Sequence, residues 1–381
     1  MTQDKRILII GAGPAGLAMA GRLRQQGLPF ELLEKSAAVG PLWRQHYDRL
    51  CLHTVKEHSH LPGLPFPEHY PRYVSRQQLV DYFEAYAQAF DIRPHFGQEV
   101  RAIDKEGAQW VVHTAAGQVF RAADVVIATG VNRLPQRPDF PGEANFQGRI
   151  LHSREYKNSA PFRGQKVLVV GMGNTGAEIA LDLSENGIAA AISVRGPVNI
   201  VPRDFLGRPT QKTAFALAKL PTWLGDWIGA RVQRLAFGDL RPYGLEQPAL
   251  PPARQLRETG KTPVIDLGTV RHIKAGKIKV HPQIQSFGAR HIRFADGQEA
   301  EFDAVILATG YRAQLEDFLP PAEGFFNADG LPADCIGSGP YAGLYFLGFD
   351  NYKPGGILGI IYQESERIAH ALAQREGIAA S

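Results

Sequence analysis

Two stretches of the chain carry the same order of apolar and polar positions. In RILIIGAGPAGLAMAGRL (6–23) and again in VLVVGMGNTGAEIALDL (167–183), an aliphatic, β-branched run leads into Gly-x-Gly-x-x-Gly and then into apolar residues at helical spacing. The run predicts a strand, the glycines a tight turn, and the spacing a helix whose N-terminus points at whatever occupies the turn. A second echo follows each copy. TAAGQVFRAADVVIATG (114–130) and FADGQEAEFDAVILATG (294–310) each place turn residues and a short strand before an apolar strand ending in Ala-Thr-Gly. The segments just upstream, VRAIDKEGAQWVVHT and KIKVHPQIQSFGARHIRF, alternate in strand fashion around turn residues. The chain therefore reads as one unit written twice.

The tail, GLYFLGFDNYKPGGILGIIYQESERIAHALAQ, holds one strand and one helix, too little for a third unit. It returns most economically to the first sheet. The expected fold is α/β, with two Rossmann-like dinucleotide-binding domains and the second inserted into the first. Thr129-Gly130 and Thr309-Gly310 are the expected crossing points, and the Pro- and Gly-rich 131–146 reads as linker. The domains are set at 1–150, 151–305 and a return segment 306–381. One stretch stands apart. QKTAFALAKLPTWLGDWIGARVQRLAFGDL (211–240) has helical apolar spacing broken at Pro221. It is expected as a helical pair packed on the second domain; the alternative is a channel lid or a lipid-facing helix.

Composition narrows the classes. At 381 residues the chain has room for two or three domains, and 44% hydrophobic with 21% charged residues is ordinary for a soluble protein. No apolar run reaches the ~18 residues of a membrane span, and the N-terminus lacks the pattern of a secretory signal, so a cytoplasmic location is the default expectation. The net charge of +4 is small, and no Lys/Arg–aromatic stripe suggests nucleic acid. Two cysteines, Cys51 and Cys335, lie far apart and form no C-x-x-C. A dithiol redox centre of neighbouring residues is excluded, and both read as buried small hydrophobes.

The glycine motifs carry the first candidate chemistry. Gly11 and Gly171 permit the turn, Gly13 and Gly173 let the backbone approach a pyrophosphate, and Gly16 and Gly176 allow close helix–strand packing. Free N–H groups and the helix dipole bind the anion. The residue ending the second strand meets the adenosine ribose. In the first unit that residue is Glu34, 23 positions after Gly11; in the second it is Arg195, 24 positions after Gly171. A carboxylate accepts hydrogen bonds from a ribose diol and repels a 2′-phosphate, whereas a guanidinium pairs with that phosphate. The second site is thus expected to take NADPH and the first a different dinucleotide. VGPLWRQHYDRLCLHT (39–54) supplies an aromatic, a cation and histidines near the strand ends, which suits a flavin; the alternative for Trp43 alone is core packing.

FQGRILHSREY (146–156) sets Phe146, Gly148, His152 and Tyr156 in the order F-x-G-x-x-x-H-x-x-x-Y, between the two glycine motifs and ahead of LATGY (307–311). This combination resembles the class B flavin-dependent monooxygenases over nearly the whole chain. YDRLCLHTVKEHSHLPGLPFPEHYP, GRILHSREYK, VPRDFLG and TGKTPVIDLGT look most like the YUCCA-type indole-3-pyruvate monooxygenases and bacterial relatives. The resemblance implies that the inserted domain takes NADPH and the outer one FAD. It implies FAD at Gly11, Gly13, Pro14, Ala15, Gly16, Glu34, Lys35, Leu42, Trp43, Arg44, His53, Val100, Thr129 and Gly130. It implies NADPH at Gly171, Gly173, Asn174, Thr175, Gly176 and Arg195, with Thr309 and Gly310 at the same strand ends. His53, His152 and Tyr156 take the catalytic positions, His152 as a coupling element rather than a direct acid or base. Many relatives carry Asn where this chain has His53, which leaves the group facing the activated oxygen open.

The implied reaction is reduction of FAD by NADPH, formation of a C4a-(hydro)peroxyflavin with O2, and oxygenation of a small organic substrate. N- or S-oxidation and oxidative decarboxylation of an α-keto acid such as indole-3-pyruvate both fit. No metal is expected, and a homodimer is allowed. Three other readings compete: a flavin disulfide reductase, which the cysteines argue against, an NADPH:acceptor oxidoreductase without coupled oxygenation, and a non-enzymatic nucleotide sensor.

Overall fold

The computed structural model describes residues 7–320, 324–350, 352–375 and 377. Its helices are α1 (Pro14–Gln25), α2 (Pro41–Gln45), α3 (Arg76–Ala89), α4 (Asn174–Glu185), α5 (Thr210–Leu217), α6 (Thr222–Phe237), α7 (Pro252–Thr259), α8 (Thr269–Lys274) and α9 (Gly356–Arg375). The chain divides into two compact units. The first comprises Met1–Gln45, Thr54–Leu134 and Tyr311–Ser381, and the second His46–His53 and Pro135–Gly310.

The first unit is built on a four-stranded parallel sheet. Its order across the sheet is Glu31–Leu33, Ile7–Ile10, Asp124–Ile127 and Leu344–Phe346. The tail thus supplies the last strand, as its length required. Continuous burial of Ile7–Ile10 and of Asp124–Ile127 is the mark of a parallel sheet covered on both faces. One cover is the antiparallel meander of Val100–Glu106, Gln109–Thr114 and Val119–Ala122, whose Trp110 and Val112 share a core with Leu8, Ile10, Val125, Ile127 and Phe346. α9 packs on α1, presenting Leu358, Ile361, Ile368 and Leu372 on one apolar stripe. α3 starts with a capping box: Gln78 N donates to Ser75 Oγ and Ser75 N to Gln78 Oε1.

The second unit repeats the plan. Its five parallel strands run Ile278–His281, Ala189–Ser193, Lys166–Val170, Ala304–Leu307 and Arg149–His152. A meander of Ile284–Phe287, His291–Phe294 and Glu299–Glu301 contributes Ile284, Ile292 and Phe294 to a core with Leu168, Val170, Val305 and Leu307. The expected limits at 150/151 and 305/306 fall inside strands Arg149–His152 and Ala304–Leu307, because both are hydrogen-bonded into this sheet. The chain changes unit at 134/135 and 310/311 instead. The residues His46–His53 also belong to the second unit, an excursion that no periodicity announced. The 211–240 stretch forms α5 and α6 with Pro221 between them, α6 lying against α7 and strand Ile200–Pro202.

Candidate functional sites

In the first unit Gly11 has φ +104, and a Cβ there would stand 2.7 Å from Ala128 O. A Cβ on Gly16 would stand 1.8 Å from Gly11 O. The second unit repeats both constraints: Gly171 has φ +106 and a Cβ there would stand 2.6 Å from Ala308 O, and a Cβ on Gly176 would stand 1.9 Å from Gly171 O. These four glycines are dictated by the protein's own backbone. Gly13 and Gly173 differ, since a Cβ on either would meet nothing within 4 Å. The open space lies at the N-caps of α1 and α4, whose first turns carry no acidic residue. The uncapped N–H groups and the positive end of each dipole face it. Both turns therefore fit the pyrophosphate of a dinucleotide.

The strand ends match the turns. Glu34 is buried; its Oε2 accepts from Ala12 N and its Oε1 from Ser36 N, both at 2.8 Å. Held between the turn and its own strand end, the carboxylate keeps lone pairs for a ribose diol. Thr129 Oγ1, at the end of the Asp124–Ile127 strand, is buried without a hydrogen-bond partner among the described residues, so the first site offers an orphaned hydroxyl. Its echo is satisfied internally, because Thr309 Oγ1 donates to Gln136 O. Arg195 is exposed, with no hydrogen-bond or ion-pair partner among the described residues, and its free fork fits an additional phosphate.

Other expected contacts are placed as follows. Pro14 opens α1 at N1, and Ala15 is buried. Lys35 is exposed, while Leu42 and Trp43 are half-buried on α2, Trp43 edge-on to Phe83. Arg44 donates from Nε to Val39 O and pairs with Glu84 at 2.5 Å, so it clamps α2 to α3. Val100 packs on the first unit's core, and Gly130 has φ +77. Asn174 Oδ1 accepts from Ile265 N at 2.7 Å, anchoring the start of α4; Thr175 is half-buried beside it.

The three expected catalytic positions all lie in the second unit. His152 is buried at the end of its strand. Arg154 N donates to Nδ1, which fixes the tautomer, and Nε2–H donates to Gly310 O, each at 3.2 Å. Burial holds its pKa below the usual imidazole value, so the ring is neutral. Gly310 O also accepts from Gln136 N, so His152 pins the segment on which the chain leaves the unit.

His53 and Tyr156 meet on α4 with residues that sequence reasoning missed. His53 Nε2 lies 3.2 Å from Glu178 Oε2, which also accepts from Tyr47 OH at 2.8 Å. Arg49 faces Glu178, Asp182 and Glu185 at 3.9, 3.4 and 2.8 Å. The buried Tyr156 hydroxyl donates to Asp182, and its ring stacks on Phe162. Burial, with the Asp182 acceptor adding, raises the Tyr156 phenol far above its ordinary range, which suits an anchor. The signal that could have found them is on the helix, where Glu178, Asp182 and Glu185 follow i, i+4, i+7 on one face. Ser153 Oγ, beside His152, is buried without a partner among the described residues. Both cysteines are free, and burial raises each thiol's pKa, that of Cys335 up to about 12.

A family model described as FMO-like, flavin-binding monooxygenase-like, matches residues 4–320. The indole-3-pyruvate monooxygenase YUCCA1 of Oryza sativa subsp. japonica is 42% identical over 351 residues, covering 90% of this chain and 86% of the relative. Among solved structures, a flavin-containing monooxygenase from Stenotrophomonas maltophilia aligns with TM-score 0.73 at 21% identity, over 97% of this chain and 98% of that one. The bacillithiol disulfide reductase Bdr of Staphylococcus aureus aligns with TM-score 0.70 at 15% identity, over 98% and 100%. The fold alone therefore does not separate oxygenation from disulfide reduction; the sequence relatives do.

Two measurements test these placements. G13A and G173A will leave the unfolding temperature of the cofactor-free protein unchanged while weakening nucleotide retention, read by flavin content and by NADPH titration. G16A and G176A will each cost roughly 3 kcal/mol or more in urea unfolding, since a backbone carbonyl cannot yield. His152 supplies the second. Its folded pKa is depressed, so its contribution to stability is present above pH ~6.5 and lost as pH falls. H152N will show a shallower drop in urea midpoint than the parent between about pH 7.5 and about pH 5.5.

Proposed function

Because the chain belongs to the flavin-binding monooxygenase family, we propose that its oxygenation serves an α-keto acid of the indole-3-pyruvate type. It is an FAD-containing, NADPH-dependent monooxygenase acting on a small molecule and O2. FAD reduced by NADPH supplies the two-electron activation of O2; the protein supplies binding, orientation and exclusion of water. The observation that carries the substrate reading is the 42% identity over nine-tenths of the chain to an indole-3-pyruvate monooxygenase. Such a substrate loses CO2 as one oxygen atom enters the product acid and the other leaves as water.

We assign the residues accordingly. The first unit holds FAD through the N–H groups around Gly13, the Glu34 carboxylate toward the ribose and the Thr129 hydroxyl. The second holds NADPH through the turn at Gly173, with Arg195 toward the 2′-phosphate. His152 is a positioning residue that keeps a neutral imidazole on Gly310 O. Tyr47, Arg49, His53 and Tyr156 anchor their loops on the acidic face of α4. The Tyr156 phenol keeps its proton, and we assign it no proton transfer.

The test is turnover. With NADPH and indole-3-pyruvate the purified protein will consume O2 and release CO2 in equal amounts with little hydrogen peroxide. NADPH oxidation that yields only peroxide, unchanged by the keto acid, overturns the substrate reading. R195A will raise KM for NADPH by about tenfold to a hundredfold and leave KM for NADH near its starting value, because only the phosphorylated cofactor loses a charge-assisted pair.

A further inference from the structure

The outward face of α6 is unlike the rest of the surface. Trp223, Trp227, Arg231 and Leu235 follow one another at i, i+4 spacing, and Trp223 is 71% exposed, Trp227 54% and Leu235 77%. Their opposite face, with Gly225, Gln233 and Phe237, is buried. Arg231 lies over the Trp227 ring at 4.8 Å, and Arg234 sits beside the stripe. Just upstream, strands Asp204–Phe205 and Arg208–Pro209 form a hairpin whose two-residue turn is Leu206-Gly207, with φ +50 and +76. Such a turn favours Asn and Gly, and a leucine in the left-handed region is strained. This leucine is also 92% exposed. The site combines backbone strain with water-exposed apolar area, neither of which helps the isolated fold.

Charge identifies the occupant. Residues 206–238 contain Arg208, Lys212, Lys219, Arg231 and Arg234 against Asp226 alone, leaving 37 basic and 37 acidic residues in the remainder. The whole net charge of +4 therefore resides in this segment. Its one carboxylate is already neutralised by Arg257 of α7 at 2.8 Å. We propose that this face docks the protein on an anionic lipid bilayer. Exposed tryptophans beside snorkelling cations suit the boundary between headgroups and acyl chains. The 16 residues of α6 span only about 24 Å, short of a ~30 Å hydrocarbon core, and no described helix is long and apolar enough to cross one. The helix lies on the membrane. A second copy is a poor occupant, since an isologous contact would set two +4 segments against each other.

The experiment is sedimentation of the FAD-loaded full chain with vesicles of phosphatidylcholine, alone or mixed equally with phosphatidylglycerol. The protein will pellet with the mixed vesicles, be released by high salt, and show a blue-shifted tryptophan emission quenched by brominated lipid. The double variant W223S/W227S will lose roughly tenfold or more in partitioning, yet keep flavin content and NADPH-dependent flavin reduction in vesicle-free buffer. L206N will also bind more weakly while unfolding at a higher temperature, because it relieves the strained turn. Absence of binding to either vesicle, or binding unchanged in both variants, overturns the proposal. So does a dimer in solution that W223S/W227S dissociates.

Discussion

Everything at the two glycine turns depends on how closely the first turn of a helix can approach the turn that precedes it. At Gly16 and Gly176 the distance from a notional Cβ to the carbonyl of the first glycine is below 2 Å. No side chain fits. Only that approach aims the helix N-terminus along the strand ends and leaves its N–H groups uncapped in open space. With the geometry fixed alike in both units, the residue that ends the neighbouring strand is where they differ. Glu34 is locked by two backbone N–H bonds, while Arg195 is left free. The same scaffold thus presents a rigid acceptor on one side and an unspent cation on the other.

The second unit carries a further layer of order on α4. Three carboxylates on one helical face collect Tyr47, Arg49, His53 and Tyr156 from two irregular segments. Loops rich in polar groups need such partners when buried. The helix that starts at the second glycine turn is therefore also the post to which segment 46–53 and the Tyr156 end of the F-x-G-x-x-x-H-x-x-x-Y motif are fastened. His152, four residues before Tyr156, fastens the same motif to Gly310.

Much of this was legible in the chain because it obeys local rules. The glycine spacing, the aliphatic runs and the opposite charges at Glu34 and Arg195 are each set within about 25 residues. The return of the tail to the first sheet followed from counting elements. What escaped was set by distant contacts. Segment 46–53 has no strong period of its own, and its membership of the second unit rests on α4, more than a hundred residues away. The pairing of Arg44 with Glu84 was out of reach for a like reason, since the two stand 40 residues apart and meet only where α2 packs on α3. The 150/151 limit placed too much weight on the linker and missed that Arg149–His152 pairs in register with Ala304–Leu307.

The interleaved chain path also has a consequence for how the protein is made. The second unit has all its residues once position 310 is synthesised, and its own sheet and meander are then complete. The first unit must wait for strand Leu344–Phe346 and for α9, which covers α1. On the ribosome a finished inner unit coexists with an outer one whose sheet edge and α1 face are bare. The outer unit closes last, so the chain's most aggregation-exposed interval coincides with translation of the residues after Gly310.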